Sequence, residues 1–171
     1  MPPSGERRCT LLLDTHASRL LHGCPWGFSN TSYFYDEPVL LSVAPGHYSV
    51  TVRYGSTDGT KYVSAMRVAR GSDLVRASRL GDVVVDFGQI GVCDRAAVEK
   101  AFDVLGDAGM STYHDQLQTT ELVKAVALPN DAEMFIARSG FGDGLYPVYL
   151  LGTSDQTPAG IEIDFEHPIR K

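Results

Sequence analysis

The chain has 171 residues, 43% hydrophobic and 21% charged, with a formal net charge of -6, a balance that excludes a disordered or collagen-like polymer and allows a substantial core. The charge is uneven: residues 1–80 hold nine Lys/Arg and six Asp/Glu, residues 81–171 six and fifteen, so the halves stand at about +3 and -9. An acidic half of that size repels a phosphate backbone, which excludes nucleic acid as the expected partner and favours a basic protein.

In chain order, residues 1–9 read as an N-terminal tail and residues 10–70 as a first β-unit. Its strand at 10–14 is followed by a loop with Gly23, Pro25, Gly27 and Asn30, then by an apolar run, Val39–Val43. Pro45-Gly46 is turn chemistry, after which Tyr48, Val50 and Val52 alternate with polar residues as in a half-buried strand. Asp58-Gly59 predicts a tight hairpin, and Tyr62–Val68 its return arm with Met66 and Val68 facing inward. The polar stretch 71–82 reads as a connector.

A second β-unit is expected over 83–167. It carries a helix at about 95–105, capped by Asp94, striped by Val98, Phe102 and Leu105 and ended by Gly106. Strands are expected at 121–128 and 133–138, the first with a spacing that also suits a helix. In the closing hairpin, Leu145, Tyr149 and Leu151 make one face of the first arm apolar, and Pro147 favours an edge or a bulge. In the return arm Ile161, Ile163 and Phe165 alternate with Glu162, Asp164 and Glu166, giving one apolar and one acidic face.

The two units share a pattern. Leu11-Leu12-Leu13-Asp14 recurs as Val83-Val84-Val85-Asp86, and Gly46–Val52 recurs as Gly144–Leu150. An internal duplication follows, with the two copies packed face to face to hide their apolar sides. The expected fold is therefore one compact, mainly β domain, a β-sandwich or bent double sheet with one inserted helix. An α+β arrangement is the alternative.

Familiar catalytic motifs are missing. There is no Gly-x-Ser-x-Gly elbow, phosphate loop, dinucleotide fingerprint or His-Glu-x-x-His helix, and the five histidines lack metal-ligand spacing. Three cysteines without a Cys-x-x-Cys pair encode neither a disulfide framework nor a thiolate site, and Cys93 reads as a buried thiol. With no apolar run near the roughly 20 residues of a membrane span and no signal-peptide core, a cytoplasmic protein without a cofactor is expected.

Five candidate sites remain. Asp143, in the Gly140–Gly144 box, projects from glycines toward a cation or a partner's arginine, or closes the turn by accepting amides. Asp14 and Asp86, at matching strand ends, cap turns or join Asp143 in a metal-assisted hydrolase. The aromatics Trp26, Phe28, Tyr33 and Tyr35 either pack the core or form a recognition loop. Tyr149, on a strand apolar on both sides, suits a homodimer contact, while Glu162 and Asp164 suit a basic partner.

The segment Ser139–Tyr149, followed by Gly160–Phe165, resembles the C-terminal signature of an uncharacterised bacterial family, a domain of unknown function ending in a Gly-Asp-Gly-x-Tyr-Pro-Val hairpin and a hydrophobic-acidic strand. Val84–Gly88, leading to Cys93-Asp94, looks like its upstream box. Residues 39–54 are faintly similar to the Pro-Gly-x-Tyr strand of competence-associated nuclease inhibitors. These resemblances carry no catalytic residues and imply a bacterial binding protein. The resulting expectation is a non-enzymatic immunity or inhibitor protein that blocks a basic toxin or nuclease. A metal-assisted hydrolase and a structural or regulatory dimerisation module are the alternatives.

Overall fold

The computed structural model describes residues 7–13, 46–85, 88–93, 100, 101, 103–105, 121–127, 129, 133–155 and 157–167, the first segment by its backbone alone. The protein is mainly β, and the described residues form two antiparallel sheets. The strands are β1 (Arg7–Leu13), β2 (Gly46–Thr57), β3 (Thr60–Ala69), β4 (Val75–Val85), β5 (Gln89–Val92), β6 (Val123–Ala127), β7 (Glu133–Arg138), β8 (Gly144–Gly152) and β9 (Pro158–Asp164). Six form one sheet in the order β1-β2-β3-β9-β8-β4, and three form another in the order β5-β7-β6.

Period-two alternation builds the large sheet. Val52, Met66, Ile163 and Val148 pair in one row across four strands, and Val50, Val68, Ile161 and Leu150 in the next. All of these except the half-buried Leu150 join Ile90, Val92, Phe135, Ile136 and Val126 of the β5-β7-β6 sheet in a single buried cluster. Asp58 and Gly59 both take positive φ, 50° and 77°, as a two-residue hairpin turn requires. Residues 100, 101 and 103–105 are helical, with Ala101 fully buried and Leu105 packed on the core. Asp94, Val98, Phe102 and Gly106 lie outside the described residues.

The sheet order is palindromic once β1, β2 and β3 are matched with β4, β8 and β9. Register follows suit. Leu11 pairs with Tyr48 and Leu13 with Gly46, as Val83 pairs with Tyr146 and Val85 with Gly144. The seam between the two sets is β3–β9, where Arg67 pairs with Glu162, flanked by Met66 with Ile163 and Val68 with Ile161.

This corrects two expectations. The matched strands do not pack face to face but lie edge to edge in one sheet, and both cover the β5-β7-β6 layer, which the chain inserts between β4 and β8. The stretch 71–82, expected as a connector, instead supplies most of β4. That strand ends the sheet, exposes residues 75–80 and shifts register twice, so no clean alternation marks it. Pro147 lies on the interior strand β8, opposite Asp82 and next to the shift between Arg79 and Gly81, where a missing amide is tolerated.

Candidate functional site

The outer face of the large sheet carries a charge cluster at the β3–β9 seam. Alternation aims Thr51, Arg67, Glu162 and Tyr149 outward in one row and Arg53, Ala65 and Asp164 in the next. Glu162 is nonetheless only 1% exposed, because arginines close over it. Arg67 donates Nε and Nη2 to its Oε2 at 2.9 and 2.5 Å, and Arg76 donates Nε to Oε1 at 2.6 Å. Asp164 accepts Arg76 Nη2 at 3.0 Å and the Glu166 amide at 3.0 Å, with His167 Nδ1 at 3.2 Å.

Burial pushes both carboxyls up, but the arginine hydrogen bonds and charges on Glu162, and the Glu166 amide and Arg76 on Asp164, outweigh it and hold both below their ordinary values. Both stay ionised at neutral pH, so they are counterions rather than proton donors. The acidic face of β9, expected to meet a basic partner through Glu162 and Asp164, is thus covered by arginines of the chain itself. Tyr149 is half-buried, with the Arg76 guanidinium 4.2 Å from its ring centroid, and its strand is hydrogen-bonded on both edges.

The glycine box holds a second arrangement. Asp143 Oδ1 accepts the Gly88 amide at 2.6 Å, and the Ser139 amide donates to Gly88 O at 3.0 Å, tying the β7–β8 turn to the entry of β5. Gly142 O accepts both Ser139 Oγ at 2.6 Å and Tyr146 Oη at 2.8 Å. Burial pushes the Tyr146 hydroxyl up, which keeps it a donor. Asp143 therefore closes a turn, although the amide it accepts is 55 residues away in sequence rather than local.

What the turn presents is Phe141, 54% exposed, with its ring centroid 5.4 Å from that of Tyr62. Tyr62 in turn lies across Gly55 and Gly140: a Cβ on either would fall within 2.4 or 2.7 Å of its ring, and one on Gly140 also within 2.6 Å of Val63 O, so a side chain at either position would displace the ring from its place. Lys61 Nζ sits 3.7 Å over the Tyr54 ring, and Tyr62 Oη approaches Glu166 Oε1 at 3.5 Å. Phe141 was not among the candidates, yet its context marked it: a large apolar residue between glycines in a tight turn has little to bury itself against.

Asp14, Asp86, Trp26, Phe28, Tyr33 and Tyr35 lie outside the described residues. The Cys93 side chain is buried. Among the described residues no group of three or more His, Cys, Asp or Glu side chains is placed to hold a metal, and no helix is long and apolar enough to cross a membrane. Compared with family models, with curated proteins and with solved structures, the chain matches none.

Proposed function

We propose that the chain is a non-enzymatic binding protein that recognises another protein through Phe141 and the aromatic and charged groups around it. The observation that carries this is the combination of high exposure with a locked base. Five hydrogen bonds among Ser139, Gly142, Asp143, Tyr146 and Gly88 fix the turn beneath the ring. A preordered aromatic loses little entropy on docking, and aromatics dominate binding hot spots. Glu166, exposed beside Tyr62, and Asp143, exposed beside Phe141, suit a partner with cationic side chains.

The finer reading is an immunity or inhibitor protein of the bacterial cytoplasm acting on a basic toxin or nuclease. It is supported by the remaining acidity of the second half and by the family resemblance of residues 139–165. Internal duplication is part of the same reading, supported by the matched registers at Tyr48 and Tyr146.

The test is calorimetric titration against a toxin or nuclease encoded beside its gene, with the wild type and Phe141→Ala. Binding by the wild type, weakened in the variant by about 2 kcal/mol, supports the reading. Equal affinity for the two proteins removes Phe141 from the interface, and absence of binding removes the toxin partner.

A further inference from the structure

Arg53 stands apart from the other two guanidinium groups of the seam cluster. Both oxygens of Glu162 are filled by Arg67 and Arg76, and Asp164 is taken by Arg76, the Glu166 amide and His167. Arg53 Nη2 comes only to 3.6 Å from Glu162 Oε2, beyond hydrogen-bond reach, and the side chain is 54% exposed. Three arginines thus surround two carboxylates, and the surplus charge rests where the donors have no hydrogen-bonded acceptor among the described residues.

The same arginine lines a groove of about 320 Å³ on the outer face, within the size range of small-ligand sites. Its floor is small and partly polar: Ser49, Thr51, Ala65 and Ala69 come from the outward rows of β2 and β3. The turn at 71–74 closes the far end, held by positive φ at Gly71 and Asp73, with Ser72 Oγ donating to Asp73 Oδ2. A small floor beneath a half-free guanidinium leaves room for a group that large side chains would otherwise fill.

From this geometry we infer that the groove binds a small ligand through an oxyanion, a phosphate or a carboxylate, with Arg53 as its principal donor. A guanidinium fork matches two oxygens of either group, and the Ser49 and Thr51 hydroxyls lie along the same groove as further donors. Two carboxylates line the groove: Glu162, beside Arg53, is neutralised by Arg67 and Arg76, whereas Asp73 at the opposite end repels an anion, so the ligand carries its oxyanion at the Arg53 end and a neutral or donor group toward Asp73. The site is independent of Phe141.

The experiment is a two-dimensional amide NMR titration of the full chain with inorganic phosphate and, separately, with acetate, each against chloride at constant ionic strength. The expected result is a saturable shift at Ser49, Thr51 and Arg53 with at least one oxyanion and none with chloride, weakened about tenfold or more in Arg53→Gln. Tighter phosphate binding identifies a phosphorylated ligand, and tighter acetate binding a carboxylate. Shifts that do not saturate, that chloride reproduces, or that survive Arg53→Gln overturn the proposal. So does a melting temperature lowered in Arg53→Gln by more than about 5 °C, which makes Arg53 a structural counterion instead.

Discussion

Arg67 and Glu162 meet at the centre of the β3–β9 seam, paired in register and joined by two hydrogen bonds from one guanidinium to one carboxylate oxygen. The arginines of the cluster come from the basic first half and the carboxylates from the acidic second half. Part of the charge imbalance is therefore satisfied inside the molecule, across the line where its two sets of matched strands join. What the surface retains for recognition is correspondingly less acidic than the sequence implies.

Replacing Glu162 by Gln leaves Arg67 and Arg76 facing a neutral amide. Breaking a fully buried pair costs about 3–5 kcal/mol, but these guanidinium groups are about a third exposed, so the expected loss is about 2 kcal/mol. Urea unfolding measures it. A loss below about 0.5 kcal/mol contradicts the role given to the carboxylate, since that is the ordinary range of surface substitutions.

The pH dependence has a definite sign. Glu162 and Asp164 are held below their ordinary values of 4.5 and 3.8, so their contribution is full above those values and is lost as pH falls through the lower folded ones. Unfolding midpoints should hold from pH 7 to about 5 and then fall steeply toward acid. Glu162→Gln should flatten that fall. An identical acid limb in the variant assigns the acid sensitivity to other groups.

Alternation and turn chemistry made much of the fold legible in the sequence. Tyr48-Val50-Val52 and Ile161-Ile163-Phe165 turn their apolar side chains to the core as alternation predicts, and Asp58-Gly59 forms the turn its residue types favour. β4 was hidden because an exposed end strand with two register shifts has no clean alternation, and β5 because four buried residues are too few to show a period. Alternation also located the acidic face of β9 without revealing its cover, since Arg67 and Arg76 arrive from 95 and 86 residues away. At the glycine box the residue types favoured Asp143, whereas backbone geometry uses Asp143 as the tie and exposes Phe141.

Asp143→Ala removes the acceptor of the Gly88 amide and should cost about 1–2 kcal/mol, while Asp143→Asn, which keeps an acceptor oxygen, should cost less than about 1 kcal/mol. Neither calcium, magnesium nor zinc should shift the wild-type melting temperature through this residue. A stoichiometric metal shift that disappears in Asp143→Asn points back to a metal-assisted site.

Gly160 faces Ala69 across the seam, and a Cβ there would lie 2.2 Å from Val68 O and 2.6 Å from Ala69 Cα. Backbone cannot yield locally at an interior strand pair. Gly160→Ala should therefore destabilise by more than about 2 kcal/mol, against about 0.5 kcal/mol or less for Phe141→Ala at its exposed turn. Thermal unfolding of the two variants side by side checks the contrast.

The seam claim is tested most directly by a double-mutant cycle on Arg67→Met and Glu162→Gln, read by urea unfolding of the four proteins. A counterion pair that joins the two sets of strands predicts a favourable coupling of about 1 kcal/mol or more, shrinking as pH falls below the ionisation of Glu162. Additive losses, with coupling near zero at pH 7, would contradict it and return the acidic strand to the surface as a face for partners.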